Sequence, residues 1–354
     1  MQTKYEHIRI QLLAAIREGT WHAGERLPSL LDLATRLGAS KWATERALTL
    51  LITQGVLERR PKHGTFVCRN VATQQFTHAP VVVLGWGPSM WTNDYGGPIL
   101  HAIQERLPGR NWILLTDHDP DAVVVPALRL FGVTCLIAVS QTLEHLDRLE
   151  QYPRLGMQVL CVGSHVASPH LHSIRIDNQG GVLAGVKYLA QLGHRRIAFL
   201  NDRSSMSDCI ERLQAFKDGQ YRYGLQRHPE LIITENHPEG LPGLVSMALD
   251  RWTHLPDPPT AIVSGGGDIT QQLIQECHRR GIAYPDDFSL LAFDDLPLTM
   301  HHTCPLTVIR QPLREMGHRA ARALELLANP THPLIRHICP TELIIRDSCR
   351  APAR

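Results

Sequence analysis

The chain has 354 residues, 43% of them hydrophobic and 20% charged, with a formal net charge of +2. That leaves room for two or three domains and is an ordinary globular composition. No run of about eighteen apolar residues occurs, so no membrane-spanning helix is expected. The N-terminal stretch MQTKYEHIRIQLL is charged throughout and lacks the apolar core of a secretion signal. Eight cysteines without a C-x-x-C pair indicate neither a zinc site nor a redox motif, and scattered thiols suit a reducing cytoplasm. Charge is uneven. Residues 1–70 carry eleven Lys and Arg against six Asp and Glu, a net +5, which leaves −3 for the rest. A basic head on a mildly acidic body suits a polyanionic partner, although a solvated helical surface would give the same count.

Tyr5, Ile8, Leu12 and Ile16 recur at helical spacing, and Gly19 is a stop signal. Pro28 and Ser29 open the next helix, with Ser29 as N-cap and Asp32 three residues on. Leu30, Leu33, Ala34 and Leu37 form its apolar face, and Gly38 ends it. Ser40 caps a third helix with Ala43, Ala47, Leu50 and Leu51 facing inward, ending at Gly55. Two helices joined by so short a turn make a helix-turn-helix, whose second member lies in the major groove. Val56 to Arg59, a Pro61–Gly64 turn and Thr65 to Val67 then read as a two-stranded wing. Gly64 permits the turn, and Arg59, Arg60, Lys62 and His63 supply donors for phosphate or the minor groove.

Over nearly all of residues 1–68 the chain resembles the GntR family of bacterial regulators, in KYEHIRIQLLAAIREGTWHAGERLPS, the helix pair and ERRPKHGTFV. The resemblance implies DNA contacts from Ser29, Ser40, Lys41, Trp42, Thr44, Arg46, Lys62, His63, Gly64 and Thr65. Lys41, Arg46 and His63 are expected to carry much of that contact. Trp42 either stacks on sugar and methyl groups or packs within the domain, packing being the preferred expectation. Two positions depart from the family. Leu31 and Glu45 stand where it usually has arginines. A carboxylate near phosphates is repulsive, although Glu45 could accept from cytosine N4. The operator is therefore expected to differ from the family's usual one.

Arg69 to Pro80 is polar and aperiodic and reads as a tether. The expected division is a winged helix-turn-helix domain at 1–69, a linker at 70–80 and a body at 81–354. In the body, strands are expected at Val81–Gly85, Trp112–Leu115, Leu136–Val139 and Val159–Val162, with helices at Pro98–Leu107, Asp121–Phe131 and Thr142–Gln151. A second set of strands follows at Ile197–Leu200, Leu231–Thr234, Ala261–Ser264 and Leu290–Phe293. Its helices are expected at Gly181–Leu192, Ser207–Lys217, Leu241–Arg251 and Ile269–Arg280. Apolar strands alternating with helices argue for an α/β body with two parallel sheets, whose ligands sit beyond the carboxyl ends of the strands.

The body resembles the sensor domain of the LacI/GalR family, built like a periplasmic sugar-binding protein. The carrying segments are IDNQGGVLAGVKYLAQLGHRRIAFL, PPTAIVSGGGD, YPDDFSLLAFDD, PLTVIRQPLREMGHRAARALELL and PTELIIRDS, in the family's order. Joined to a GntR-type head, this is similar to arabinose-repressor-type regulators. The resemblance implies two lobes joined by three strands, one of residues 81–175 plus 296–327, the other of residues 176–295 plus the C-terminal strand. It places Arg212 and Asp294 against a ligand. Asp208, one helical turn before Arg212, either lines the same cleft or forms a surface ion pair. The loop holding Trp91, Asp94 and Tyr95 either stacks on and hydrogen-bonds a sugar or is an exposed loop. Ser140, at a strand end, is a further candidate. Gly266 and Gly267 replace the family's Asn-Asp, and Asp268 next to them is the available substitute.

A catalytic role has little support. Beyond Asn70 the only lysines are Lys187 and Lys217, neither in a Schiff-base motif, and no nucleophile elbow occurs. His170, His172, His301 and His302 read as solvated or supporting residues, so no metal and no cofactor is expected. The reading is a cytoplasmic homodimeric transcription regulator, a repressor that binds operator DNA and a sugar-like effector. The alternatives are a solute-binding protein or a pyridoxal-phosphate enzyme fused to a regulatory head.

Overall fold

The computed structural model describes residues 4–17, 19–53, 56–61, 63–68, 80–85, 90, 93–116, 133–154, 156–202, 205–300, 303–329 and 332–352. The tether at 69–79, the helix expected at Asp121–Phe131, and Lys62, Trp91, His301 and His302 lie outside these. The chain divides into two compact units, one of Met1–Val82, Gly109–Ile113 and His118–Thr134, the other of Val83–Pro108, Leu114–Asp117 and Cys135–Arg354. No described helix is long and apolar enough to cross a membrane.

The N-terminal region holds α1 (Lys4–Arg17), α2 (Leu30–Arg36), α3 (Lys41–Thr53), β1 (Leu57–Arg60) and β2 (Gly64–Val67). Ser29 caps α2 as expected. Its hydroxyl accepts from the Asp32 N–H at 3.3 Å and donates to Asp32 Oδ2 at 2.6 Å. Ser40 caps α3 by accepting from the Ala43 N–H at 3.2 Å, which satisfies a donor with no partner inside the helix. Ile8, Leu12, Leu33, Ala43, Ala47, Leu48, Leu51, Leu57 and Val67 form the core. The buried face of α3 includes Thr44 and Leu48, and Leu50 is only half-buried. The strands pair antiparallel, Leu57 opposite Val67 and Arg60 opposite Gly64. On its other side β2 bonds the stretch before α2, where Val67 N–H donates to Glu25 O and Leu27 N–H to Thr65 O, both at 2.9 Å.

The body contains two six-stranded sheets. The first has the order β13 (Arg336–Cys339), β7 (His172–Ile176), β6 (Gln158–Val162), β5 (Cys135–Val139), β3 (Val81–Gly85), β4 (Trp112–Thr116). The second runs β14 (Glu342–Ile344), β12 (Thr307–Arg310), β11 (Ser289–Phe293), β10 (Ala261–Ser264), β8 (Ile197–Leu200), β9 (Ile232–Ile233). The registered pairs are parallel except β14 on β12. Expected strands recur within a few residues, but β7, β12 and β13 were not among them.

Helices α4 (Gly96–Arg106), α5 (Leu143–Leu149) and α6 (Gln151–Arg154) belong to the first lobe, with α7 (Asn178–Gln191), α8 (Ser207–Arg222), α9 (Gly240–Thr253), α10 (Gly267–Arg280) and α11 (Pro297–Met300) in the second. Helix α12 (Leu313–Leu326) returns to the first and packs on α4. A Cβ added to Gly317 of α12 would sit 2.4 Å from Ile99 O, so a glycine is what lets the two helices approach.

The chain crosses between lobes three times, after β7, after β12 and after β13. This corrects the expected lobe boundary. Residues 296–300 and 303–310 are in the second lobe, because β12 extends the second sheet beside β11, and the first lobe resumes only with α12. The first and third crossings bond each other, Asp177 N–H to Cys339 O at 2.9 Å and Thr341 Oγ1 to Asp177 O at 3.1 Å.

Candidate functional site

The strand ends converge on a cleft of about 230 Å³, somewhat below the roughly 300–1,000 Å³ of most small-molecule sites. Asp94, Tyr95, Ser140, Asp208, Arg212, Asp268 and Asp294 all line it. Asn93, from the loop expected to face the cleft, lines it as well, and so do Asn201, Asp202, Gln271 and Gln311, which were not anticipated.

Arg212, on α8, is 4% exposed, and each of its three guanidinium nitrogens has a partner. Nε donates to Asn178 Oδ1 at 2.8 Å and Nη1 to Gly265 O at 2.7 Å. Nη2 pairs with Asp208 at 3.1 Å, and the guanidinium lies 3.7 Å from the Phe293 ring centroid. Asp208 is therefore a cleft residue and not a surface ion pair. Burial works against the Arg212 charge, but the carboxylates of Asp208 and Asp294 outweigh it and hold the guanidinium above its ordinary value.

Asp294 ends β11 in a left-handed conformation, φ +83°, which a short acidic side chain tolerates better than most. Its Oδ2 accepts the Gly267 N–H at 2.9 Å, and its Oδ1 accepts from the Gln311 amide. Burial raises its pKa, and Arg212, Gln311 and the Gly267 N–H only partly counter that. Ser140, at the end of β5, also has positive φ, +47°. Two strained residues facing one cleft are the arrangement expected of a functional site.

Across the cleft, Asn93 Oδ1 accepts the backbone N–H groups of Tyr95 and Gly96 at 3.1 and 2.7 Å, which fixes the loop before α4. The Tyr95 hydroxyl bonds Ser140, and burial raises its pKa. It lies against Gly163, where an added Cβ would be 2.3 Å away and φ is +84°, so this residue must be glycine. The glycine run after β10 has a comparable reason. A Cβ on Gly265 would fall 2.6 Å from Asn201 Cγ. Gly266, Gly267 and Asp268, where the family's Asn-Asp was looked for, all line the cleft. Among the described lining residues five are aspartates and one is arginine.

The helix-turn-helix face is built on α3. Lys41 and Arg46 are exposed, and Arg46 pairs with no acid among the described residues. Two expectations change. Thr44 is 0% exposed and donates its hydroxyl to Ser40 O at 3.0 Å, so it has no surface to offer DNA. Trp42 is not packed inside. It is 72% exposed, touching Tyr5 edge-on at 6.5 Å between centroids. Glu45 accepts from Arg59 Nη2 on β1 at 2.9 Å, so each neutralises the other. Arg60 is held by Glu58 and lies 4.4 Å from the Phe66 ring centroid. Leu31 is 58% exposed. His63 is exposed at the wing tip, Thr65 is half-buried beside it, and Gly64 turns the chain at φ +107° against the Arg26 guanidinium, a cation the sequence reading missed.

Residues 4–67 match the model of bacterial regulatory proteins of the gntR family, and residues 186–349 that of a periplasmic binding protein-like domain. The chain is 31% identical over 182 residues to the HTH-type transcriptional repressor CytR of Escherichia coli K12, covering 51% of this chain and 52% of that one. It therefore spans about half the length of such curated relatives. It is 24% identical over 377 residues to the arabinose metabolism transcriptional repressor of Geobacillus stearothermophilus, covering 98% of each. A LacI family transcriptional regulator from Enterococcus faecium with bound ribose superposes with TM-score 0.65 at 19% identity, over 78% of this chain and all of that one. The CelR–cellobiose complex superposes with TM-score 0.64 at 20% identity, over 91% and 100%. These likenesses establish the fold. The chain thus matches a gntR-type model in its head and a periplasmic binding protein-like model in its body.

Proposed function

We propose that this chain is a ligand-responsive DNA-binding transcription regulator, a cytoplasmic homodimeric repressor whose operator affinity changes when a sugar or related polar molecule binds between its lobes. The observation that carries the reading is the cleft itself. A buried Arg212–Asp208 pair, the strained Asp294 and the Tyr95–Ser140 wall converge at strand ends, in a chain whose N-terminal domain matches a DNA-binding family. Relatives named as repressors and neighbours holding ribose or cellobiose support the same assignment. With Arg212 already neutralised and four further aspartates nearby, the cleft favours a neutral polyol over a sugar acid or phosphate. The pyridoxal-phosphate alternative would need a Schiff-base lysine, and none stands among the described lining residues.

The test pairs two measurements on the full-length protein. Thermal-shift screening with ribose, arabinose, cellobiose and their acid or phosphate derivatives finds the ligand, because binding to the folded state raises the melting temperature. Fluorescence anisotropy then follows a duplex selected by the protein from a random pool. Effector is expected to change duplex affinity at least about tenfold, a coupling of roughly 1.4 kcal/mol. A ligand that saturates the cleft and leaves duplex affinity unaltered overturns the switch.

A further inference from the structure

A second cluster of donor groups lies away from the cleft. Ring nitrogen, thiolate sulfur and carboxylate oxygen positions from His337, Cys339 and Glu315 all fall within 4.8 Å of one another. We infer that these three residues form a binding site for a borderline-soft divalent metal ion, zinc by its donor set. His337 and Cys339 are two apart on β13, so both project from one face of the strand. Glu315 comes from the first turn of α12.

Each donor is unusually available. Cys339 is 0% exposed. His337 Nε2 is buried with no hydrogen-bond partner, a situation that is unfavourable when nothing relieves it. Both bonds from Arg319 to Glu315 go to Oε1, at 2.8 and 2.6 Å. Arg319 thus orients the carboxylate and leaves Oε2 facing no donor among the described residues, the outer support usual around metal ligands. A neutral imidazole has a lone pair to give a metal, and Nε2 is the nitrogen left without a partner. The Cys339 thiol would lose its proton to solvent on binding. Cys, His and Glu donors with one water complete a tetrahedral zinc sphere. Ligand atoms in such a sphere are roughly 3.3–3.8 Å apart, so the cluster closes by about an ångström at its widest pair, a movement the Glu315 side chain can make.

The position gives the site a consequence. Glu315 follows the second interlobe crossing by four residues, and Cys339 immediately precedes the third. An ion there pins the two segments on which the lobes hinge. The sequence reading missed it because it looked for C-x-x-C, whereas the pair here is H-x-C on a strand and its third member lies on a helix.

Full-length reduced protein, stripped with a chelator, is titrated with cobalt(II) and then zinc(II). About one equivalent of cobalt is expected to give the intense visible bands of a tetrahedral ion plus a thiolate-to-cobalt charge-transfer band, both displaced by zinc. Cys339→Ser should abolish the charge-transfer band, and His337→Gln should weaken binding about tenfold or more. Cys304→Ser, a thiol elsewhere, should change neither. Glu315→Gln, at a partly exposed position, keeps the test open if a strand variant misfolds. It should weaken binding with the metal-free melting temperature unchanged. A pale octahedral spectrum, a charge-transfer band that survives Cys339→Ser, or uptake of several equivalents indifferent to all these variants overturns the assignment.

Discussion

Arg212→Ala is the substitution the cleft should feel most. It removes three hydrogen-bonded or ionic contacts, to Asn178, Gly265 and Asp208, and the cover of Phe293. The larger effect is on what remains, since the side chain of Asp208 is only 15% exposed and Asp294 then loses its nearest cation. Breaking a buried pair from one side costs about 3–5 kcal/mol. For a body of this size roughly 2–4 °C of melting temperature goes with each kcal/mol, so the expected loss is roughly 6–20 °C. The deficit depends on pH with a definite sign. Asp294 already titrates above its ordinary value because it is buried, and loss of Arg212 drives it further up. An acid raised in the folded state favours folding below its unfolded pKa and loses that contribution as pH rises through the folded value. Differential scanning calorimetry of the full chain should therefore show the widest gap to wild type at neutral pH and a narrower gap in mildly acidic buffer. Adding Asp208→Asn should recover part of the loss. A variant that melts within about 2 °C of wild type at neutral pH, or whose deficit grows on acidification, would refute the account.

Effector affinity should fall as pH drops through the raised pKa of Asp294, because the protonated acid no longer accepts from hydroxyls on both oxygens; calorimetric titration of Asp294→Asn should show no such slope. Glu45→Ala breaks an exposed pair with Arg59, so stability should change by no more than about 0.5 kcal/mol. Freed, Arg59 should meet a phosphate, tightening duplex binding and steepening the salt slope by about 0.9; weaker binding would mean that Glu45 itself reads a base. Trp42 is 72% exposed near the start of α3, where recognition helices touch bases. Replacing thymine by uracil in the selected duplex should weaken wild type about fourfold per contacted methyl, from roughly 0.8 kcal/mol, and leave Trp42→Ala unaffected; an equal response in both removes Trp42 from the readout.

Legibility in the sequence followed the reach of the signal. Capping of α2 and α3 by Ser29 and Ser40 is local, and both caps form as read. Strands with continuous apolar runs, such as Ala261–Ser264, were evident. β7 and β13 were not, because HSIRI and RHIC carry polar residues where an apolar run was sought. Missing β12 as a member of the second sheet had a direct cost. Its end presents Gln311, as the end of β8 presents Asn201, and the rule that ligands sit beyond strand ends would have found both. Thr44 was taken for a DNA contact because polarity was allowed to outweigh phase. It lies one residue beyond Ala43 and three before Ala47, inside the buried arc. The Glu45–Arg59 pair spans the wing turn, 14 residues apart, a contact set by tertiary placement and invisible to any helical or strand period.

The cleft also bears on how a ligand would switch the protein under the proposed function. Asp208, Arg212 and Asp294 belong to the second lobe and are already satisfied by one another, Asn178, Gly265, Gly267 and Gln311. A ligand that touches only these binds without favouring either arrangement of the lobes, and equal affinity for two states shifts nothing. Preference for the closed arrangement must come from the first-lobe side, from the hydroxyls of Tyr95 and Ser140 and the carboxylate of Asp94. Two neutral hydrogen bonds and one charged one supply about 2.5–6 kcal/mol. Turning a 1:99 population into 99:1 takes about 5.5 kcal/mol, so the full set is needed and little is left over. A ligand short of one hydroxyl on that side should still occupy the cleft but switch the population only in part. Gln311 also lines the cleft. It stands at the second crossing, 7% exposed, with its amide on Asp294 and its Oε1 without a partner. A ligand hydroxyl donated to that oxygen would tie occupancy of the cleft to the strand that leads into α12.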